Sequence, residues 1–257
     1  MPETDLDLLL SAAKEAGRIA TSFTGPTAQT WHKPENAGPV TEADLAVNEM
    51  LERELRAARP DYGWLSEESL DNGDRLSAKS VFIIDPIDGT RSFIDGSDTW
   101  AHSLAIAVNG VVTAAVIYLP LRDKLYSATS GSGAYLNGAP IRCATRASLD
   151  GANLLVTRPV MEPKHWKSLP PDIKRSYRPS LAYRLALVAE GRYDGMLTLR
   201  PTWEWDIAAG DLILREAGAT TSNRSDGPLL FNNADPRLKG MVTANADLHR
   251  NICSALA

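Results

Sequence analysis

The sequence predicts a protein of mixed α and β structure, built from two halves with different architectures. In residues 1–145, two amphipathic helices precede a run of strands with Asn-Gly turns, which is typical of an α+β arrangement. In residues 146–257, strands and helices alternate, which is typical of an α/β arrangement. A chain of 257 residues is long enough for one large layered domain or for two domains.

Two helices are predicted at the start of the N-terminal half. Apolar residues recur at helical spacing over residues 4–24, and Gly25-Pro26 ends the pattern. The second helix is predicted from Thr41, a good N-cap with an acid three residues later, to about Arg59. That acid is Asp44, and on local evidence alone it is a structural residue, because capping and the helix dipole favour an acid there.

Strands follow these helices. The central strand is predicted over residues 81–84 and is expected to end at Asp85-Pro86, because proline cannot donate a hydrogen bond to a strand ladder. Residues 101–118 are predicted to form a hairpin around Asn109-Gly110. Further strands over residues 124–129 and 133–136 complete an antiparallel meander.

The C-terminal half is predicted to alternate between strands and helices. Ser180 caps one predicted helix, which Gly191 ends, and a second begins near Trp205 and ends at Gly218. The alanines after Asp206 are small, so we expect this helix to approach the other half closely and to bring Asp206 to the acids after the central strand. Strands are predicted over residues 153–157, 193–199 and 241–244, with an irregular stretch over residues 158–179.

Composition and charge exclude several classes of function. A net charge of −5 argues against binding to a nucleic acid polymer, and no apolar run approaches the ~18 residues of a membrane span. Cys143 and Cys253 lie far apart, so a disulfide or metal framework is not expected, and a reducing compartment fits. Because the first residues are acidic rather than basic, they do not resemble a signal peptide. We therefore expect a soluble cytoplasmic protein.

The charge is unevenly distributed. Residues 151–200 contain nine Lys and Arg against four Asp and Glu, a local excess of positive charge in an acidic chain. Such a segment is often an ordinary solvated surface. The alternative is a basic wall that faces an anionic substrate.

The strongest chemical signal is the hexapeptide that follows the central strand, Asp85-Pro86-Ile87-Asp88-Gly89-Thr90. It presents two carboxylates three residues apart, and the backbone N–H groups of Gly89 and Thr90 can bind an anion. Carboxylates beside an anion site are expected where a hard cation such as Mg²⁺ bridges them to a phosphate. The alternative is an ordinary turn at the end of a strand.

This hexapeptide resembles the metal-binding signature of the inositol monophosphatase superfamily, a group of Mg²⁺-dependent, commonly lithium-sensitive phosphomonoesterases. Residues 205–218 resemble the family's second signature, and residues 40–44 and 67–69 fall in the expected order and spacing. The resemblance extends from about residue 6 to residue 252. It implies a layered αβαβα sandwich, with the metal site at the junction of the two halves, and a homodimer.

The resemblance also implies roles for individual residues. The metal ligands for two or three Mg²⁺ are Glu67, Asp85, the Ile87 carbonyl, Asp88 and Asp206, with Asp85 bridging two ions. In the same way, Thr90 with Asp44 would orient and deprotonate the attacking water, and Glu68 would support them. The N–H groups of Gly89 and Thr90 would hold the phosphate. All four histidines lie outside these motifs and are expected to be structural or at the surface.

Two departures from the common pattern bear on the substrate. Arg91 follows Thr90, and the approach to Asp206 reads Arg200-Pro201-Thr202-Trp203-Glu204-Trp205, which resembles CysQ-type 3′(2′),5′-bisphosphate nucleotidases. These features favour 3′-phosphoadenosine 5′-phosphate as substrate, with inositol 1-phosphate second and histidinol phosphate third. The residues expected to contact the substrate are Arg91, Arg200, Trp203 and Tyr183.

A function of another class is a regulatory binding module on a phosphatase fold that has lost activity. The complete set of Glu67, Asp85, Asp88, Thr90 and Asp206 argues against such a loss.

Overall fold

Two β-sheets and three layers of helix form the fold, stacked in the order α, β, α, β, α. The computed structural model describes residues 3–33 and 38–257. Its α-helices are α1 (Asp5–Ala20), α2 (Glu42–Ala58), α3 (Thr90–Ile94), α4 (Leu181–Ala189), α5 (Glu204–Glu216) and α6 (Ala246–Ala255). This architecture confirms the layered αβαβα sandwich implied by the family resemblance.

The larger sheet belongs to the N-terminal half. A short ribbon of β1 (Thr30–His32) and β2 (Pro39–Thr41) leads into α2. The sheet has seven strands in chain order, namely β3 (Gly63–Ser66), β4 (Ser80–Asp88), β5 (Ala101–Val108), β6 (Val111–Leu119), β7 (Lys124–Thr129), β8 (Ala134–Leu136) and β9 (Ala139–Pro140). Strands β3 and β4 are parallel and the other neighbours are antiparallel. The predicted meander is confirmed, including the hairpin turn, where Asn109 and Gly110 have φ of 50° and 80°.

Strand β4 differs from the prediction, because it does not end at Asp85-Pro86. Its pairing with β5 runs to Asp85, is interrupted over the next two residues, and resumes where Asp88 pairs with Ala101. Proline therefore interrupts the ladder only locally, and the Pro86 carbonyl is hydrogen-bonded to Nδ1 of the buried His102. As a result, both acids lie on the same irregular strand end.

The smaller sheet is mixed and belongs to the C-terminal half. Its strands are β10 (Asn153–Leu155), β11 (Lys174–Ser176), β12 (Gly195–Thr198), β14 (Thr220–Ser222) and β16 (Met241–Ala244), in the spatial order β11-β10-β12-β16-β14. A separate ribbon pairs β13 (Thr202–Trp203) with β15 (Arg237–Leu238). Strand β11 lies inside the stretch that was predicted to be irregular, and β14 and α6 were not predicted.

Each helix layer buries a distinct apolar cluster. Helices α1 and α2 cover one face of the larger sheet, where Leu9 and Leu51 pack with Phe82. Helices α4 and α5 lie between the two sheets, and α6 covers the outer face of the smaller one through Leu248 and Ile252. The core around α4 and α5 thus receives side chains from both predicted halves, whose boundary near residue 145 stays a prediction. Among the described residues, no helix combines the length and apolar character needed to cross a membrane.

Helices α4 and α5 are in close contact because α5 has small residues on the facing side. A Cβ atom added to Gly210 would lie 2.3 Å from Cδ1 and 2.7 Å from Cβ of Leu185. Ala208 and Ala209 precede this glycine and are fully buried. The glycine therefore sets how closely α5, which carries Asp206, can pack on α4.

We expect Gly210→Ala to destabilise the protein, although alanine is intrinsically the better helix former by about 1 kcal/mol. The added methyl group overlaps Leu185, and overpacking of this kind costs roughly 1–3 kcal/mol. Urea unfolding followed by circular dichroism measures the effect. Ser11→Ala, at an exposed position in α1, is the control and should leave stability unchanged or slightly higher. Equal or higher stability of Gly210→Ala would show that the contact between α4 and α5 is not close.

Candidate active site

The site begins where the parallel strands β3 and β4 end. Ser66 is the last residue of β3 and pairs with Ile84, so Glu67 leaves β3 beside Asp85, which still pairs with β5. The backbone N–H of Glu67 donates to the Ile84 carbonyl at 3.2 Å, which extends the pairing by one step. Strand register alone therefore brings together two of the predicted metal ligands that are far apart in the chain.

Three aspartates meet at this point. One carboxylate oxygen from each of Asp85, Asp88 and Asp206 lies within 4.8 Å of the others. Asp206 comes from the first turn of α5, and the structure places it beside Asp85 and Asp88, as predicted. Burial, together with repulsion from neighbouring carboxylates, raises the pKa of Asp85 and of Asp206 well above the usual value. Burial likewise raises the pKa of Asp88 to about 6.

This acid cluster fits a hard divalent cation. Asp85 is 1% exposed, and its Oδ1 atom has no hydrogen-bond partner in the part of the chain that the structure describes. A buried carboxylate oxygen without a partner is costly unless a cation neutralises it. The cluster offers only oxygen ligands, a set that Mg²⁺ and Ca²⁺ accept more readily than Zn²⁺ does.

Asp88 also connects the two halves of the chain. Its Oδ2 atom accepts hydrogen bonds from Ser180 Oγ at 2.5 Å and from the Ala182 N–H at 2.6 Å. Ser180 Oγ in turn accepts from the Tyr183 N–H and caps α4, as the sequence predicts. Asp88 is therefore held by the N-terminus of α4 through one oxygen, while its carboxylate also belongs to the acid cluster.

Asp44 and Thr90 form a second buried group. The capping box of α2 uses Oδ2 of Asp44, which accepts from both the N–H and the hydroxyl of Thr41. The other oxygen, Oδ1, lies 3.2 Å from Thr90 Oγ1, which is also 3.2 Å from the Ile87 carbonyl. Burial raises the pKa of Asp44. The local prediction of a capping role is correct, and the same side chain also reaches the site.

Glu67 and Glu68 share a salt-bridge partner, Lys33, which was not predicted from the sequence. Lys33 Nζ lies 2.6 Å from Oε1 of both glutamates. Burial, followed by repulsion from Glu67, raises the pKa of Glu68 to about 7. A lysine in a loop has no local signal of such a role, because only the tertiary fold brings it to these acids.

These groups border a cavity of about 610 Å³, lined on one side by acids and on another by basic and aromatic residues. Gly89, Thr90, Arg91 and Arg200 line it, as expected for substrate contacts. So does Arg184, which was not predicted. Of the nine basic residues in segment 151–200, only Arg184 and Arg200 are among the lining residues.

Arg184 is a buried cation that faces the cavity. It is 5% exposed, its Nε donates to the Ser180 carbonyl at 3.3 Å, and its guanidinium lies 5.2 Å from the centre of the Tyr177 ring. Among the described residues, no carboxylate lies within salt-bridge distance of it. Burial lowers its pKa. The guanidinium is therefore available to an anion in the cavity.

Two of the expected substrate contacts lie elsewhere. Tyr183 is 2% exposed, and its hydroxyl accepts a hydrogen bond from Arg122. Trp203 stacks on Trp205 with ring centres 4.6 Å apart. Neither side chain lines the cavity, so the structure does not support their predicted role. The next residue in the chain, Arg184, lies on the side of α4 that faces the cavity.

Comparison with known proteins gives a consistent result. The model of the inositol monophosphatase family matches residues 2–257. The chain is 33% identical to the Nus factor SuhB of Escherichia coli over 235 residues, which cover 86% of each protein. It is 31% identical to an inositol-1-monophosphatase of Mesorhizobium japonicum over 267 residues, covering 98% of this chain and 95% of that protein.

A solved structure agrees with these sequence relationships. An IMPase of Thermotoga maritima superposes with a TM-score of 0.82 and is 28% identical, with 97% of this chain and 95% of that chain covered. The layered fold and the order of its elements are therefore those of the solved relative.

We expect the acid cluster to destabilise the protein when no divalent cation is bound. The pKa of Asp88 in the native state, about 6, lies above its ordinary value. At a pH between its ordinary pKa and about 6, the native state therefore binds more protons than the unfolded state. Stability in EDTA should therefore fall as pH rises through about 6. Asp85→Asn removes one buried charge and should raise the free energy of unfolding at pH 8 in EDTA by roughly 1–3 kcal/mol.

Thermal and urea unfolding with EDTA and with Mg²⁺ test this expectation. Asp61→Asn, at an exposed turn, is the control and should behave as the unaltered protein. Mg²⁺ should stabilise the unaltered protein more than Asp85→Asn. Lower stability of Asp85→Asn in EDTA would contradict the idea that repulsion dominates the cluster.

Proposed function

The chain belongs to the inositol monophosphatase family, and on this premise we propose that it is a Mg²⁺-dependent phosphomonoesterase that prefers a 3′(2′),5′-bisphosphate nucleotide. That it is a phosphatase of this family follows from the comparisons. The metal, the substrate and the residue roles are the content of the proposal. The observation that carries it is the cluster of three aspartates at the edge of a cavity that basic side chains also line. Among the described residues, Asp85 Oδ1 has no hydrogen-bond partner, and Arg184 and Arg200 form no salt bridge.

The metal ligands in this proposal are Glu67, Asp85, the Ile87 carbonyl, Asp88 and Asp206. Bound Mg²⁺ would neutralise the phosphate, lower the pKa of water and stabilise charge on the leaving oxygen. The mutual repulsion of the carboxylates supports the proposal, since a bound cation stabilises such a cluster in its charged form. Lys33 supplies one of these positive charges, to Glu67 and Glu68.

The remaining residues act on water and phosphate. Thr90 Oγ1 can orient a water molecule, since its own proton can be donated to Asp44 Oδ1 at 3.2 Å. Asp44 then accepts the proton that leaves the attacking water, and its raised pKa makes it a stronger base than an exposed aspartate. Glu68 lies beside this pair and supports it electrostatically. Gly89 has φ of 99°, which brings its backbone and that of Thr90 to the cavity where the phosphate binds.

The preference for a bisphosphate rests on Arg184 and Arg200. Both line the same cavity as the acids, and neither forms a salt bridge with a carboxylate of the described residues. A substrate with one phosphate at the metal site and a second phosphate elsewhere would pair with these cations. Inositol 1-phosphate is the alternative substrate, since a relative carries the name inositol-1-monophosphatase. Histidinol phosphate is third.

The first experiment measures phosphate release with Mg²⁺ from adenosine 3′,5′-bisphosphate, inositol 1-phosphate and histidinol phosphate. We expect the bisphosphate to have the highest kcat/KM. Asp206→Asn should lower kcat/KM for every substrate by about two orders of magnitude or more, whereas Asp61→Asn should have no effect. A higher kcat/KM for inositol 1-phosphate would show that Arg184 and Arg200 do not serve to bind a second phosphate.

Arg184→Gln should separate the substrates. Loss of a charge-assisted hydrogen bond of about 1.5–3 kcal/mol corresponds to a roughly 10- to 100-fold higher KM for the bisphosphate. The effect on a monophosphate should be much smaller, because it has no second phosphate to lose. Arg175→Gln, in the same basic segment but exposed and outside the cavity, is the matched control. An equal loss for bisphosphate and monophosphate would show that Arg184 does not contact a second phosphate.

A regulatory role remains the second candidate, because one relative is a Nus factor. It would be favoured if none of the three substrates were hydrolysed while Mg²⁺ still stabilised the protein. From the resemblance we further propose a cytoplasmic homodimer that Li⁺ inhibits. Light scattering and inhibition assays with LiCl against NaCl test the last two properties.

A further inference from the structure

Three side chains able to bind a metal meet at α6, outside the candidate active site. Ligand atoms of Asp226, His249 and Cys253 lie within 4.8 Å of one another. His249 and Cys253 are four residues apart and so lie on the same face of α6. Asp226 lies in the turn after β14, where its φ is 59°. None of the three residues lines the cavity that contains the acid cluster.

One hydrogen-bond arrangement leaves Nδ1 of His249 free. Ser222 Oγ lies 3.0 Å from the Asn223 carbonyl and 2.8 Å from His249 Nε2, so a Ser222 hydroxyl that donates to the carbonyl accepts from Nε2–H. The Nδ1 atom is then unprotonated, and it lies 4.0 Å from Asp226 Oδ1 and 3.9 Å from Cys253 Sγ. His249 is 4% exposed, and burial lowers its pKa, which keeps the ring neutral. A neutral imidazole oriented by an outer hydrogen bond is the usual state of a metal-binding histidine.

We propose that Asp226, His249 and Cys253 form a second metal site, specific for Zn²⁺. Metal bonds of about 2.0–2.3 Å in a tetrahedron place neighbouring ligand atoms roughly 3.3–3.6 Å apart. The observed separations from Nδ1 exceed this by a few tenths of an ångström. Cys253 Sγ is also 3.7 Å from Nε2, so the thiol turns towards Nδ1 when the metal binds. Its proton passes to solvent, and the thiolate and the carboxylate together neutralise the ion.

The surroundings leave the fourth coordination position open. Asp226 and Cys253 line a cavity of about 390 Å³, together with Arg224 and Arg250. Arg224 donates to the Leu199 carbonyl, and Arg250 is paired with Asp247. Their positive charge suits water or a small anion as the fourth ligand. Zinc held here would join α6 to the turn after β14.

The ligand chemistry makes the site distinguishable from the acid cluster. The acid cluster has only oxygen ligands, whereas this one has sulfur, nitrogen and oxygen, a softer set that selects Zn²⁺ and Co²⁺ over Mg²⁺. Co²⁺ bound to a thiolate absorbs in the near ultraviolet, and Co²⁺ bound only by carboxylates does not. The absorption therefore reports this site even if metal also binds at the acids.

The test is a Co²⁺ titration of the reduced full-length protein in saturating Mg²⁺, followed by displacement with Zn²⁺. We expect one Co²⁺ with a thiolate absorption band, removed by one equivalent of Zn²⁺. Cys253→Ser should abolish the band, and Asp226→Asn should weaken binding about tenfold or more. Cys143→Ser is the matched control and should retain the band, and so should Asp206→Asn, which disables only the acid cluster.

Three results would overturn the proposal: no thiolate band in the unaltered protein, a band that persists in Cys253→Ser, or a band that depends on Cys143. Circular dichroism confirms that each variant is folded. Zn²⁺ should also raise the unfolding temperature of the unaltered protein but not that of Cys253→Ser.

Discussion

Electrostatic repulsion between buried carboxylates is the constraint on which the rest of the structure depends. Asp85 and Asp88 are buried and Asp206 is half-buried, and one carboxylate oxygen of each lies within 4.8 Å of the others. Left to themselves, such groups would move apart or take up protons. The fold prevents separation by fixing the first two on an irregular strand end and the third on the first turn of α5. Folding therefore holds together carboxylates that repel one another, and a bound cation would relieve this repulsion.

The same carboxylates also hold the architecture together. Asp88 accepts hydrogen bonds from the beginning of α4, and α4 lies with α5 between the two sheets. A shift of α4 would therefore change both the acid cluster and the packing around Gly210. It would also move Arg184, which lies on the same helix and faces the cavity. The acid cluster, the junction of the halves and the position of Arg184 therefore depend on one another through α4.

Short sequence patterns predicted the features that depend on residues close together in the chain. The acids after the central strand, the Thr41 cap, the Asn-Gly hairpin and the approach of Asp206 could all be inferred from short patterns. Lys33 could not, because its partners Glu67 and Glu68 are distant in the chain and only the tertiary fold brings them together. Arg184 could not either, because only the tertiary fold brings its helix to the cavity that the acids line. Consecutive residues of a helix are turned by about 100°, so the sequence pattern did not show that Arg184, and not Tyr183, lines the cavity. Strand β4 was predicted too short because a strand can continue beyond a proline when its pairing is interrupted there.

The capping box of α2 has a consequence for catalysis. Asp44 uses one oxygen to begin a helix, and a planar carboxylate with one oxygen fixed has little freedom left for the other. The side chain of the proposed base therefore loses its conformational entropy when α2 forms and not when the substrate binds. The formation of α2 thus also fixes the orientation of the carboxylate that we propose as the proton acceptor.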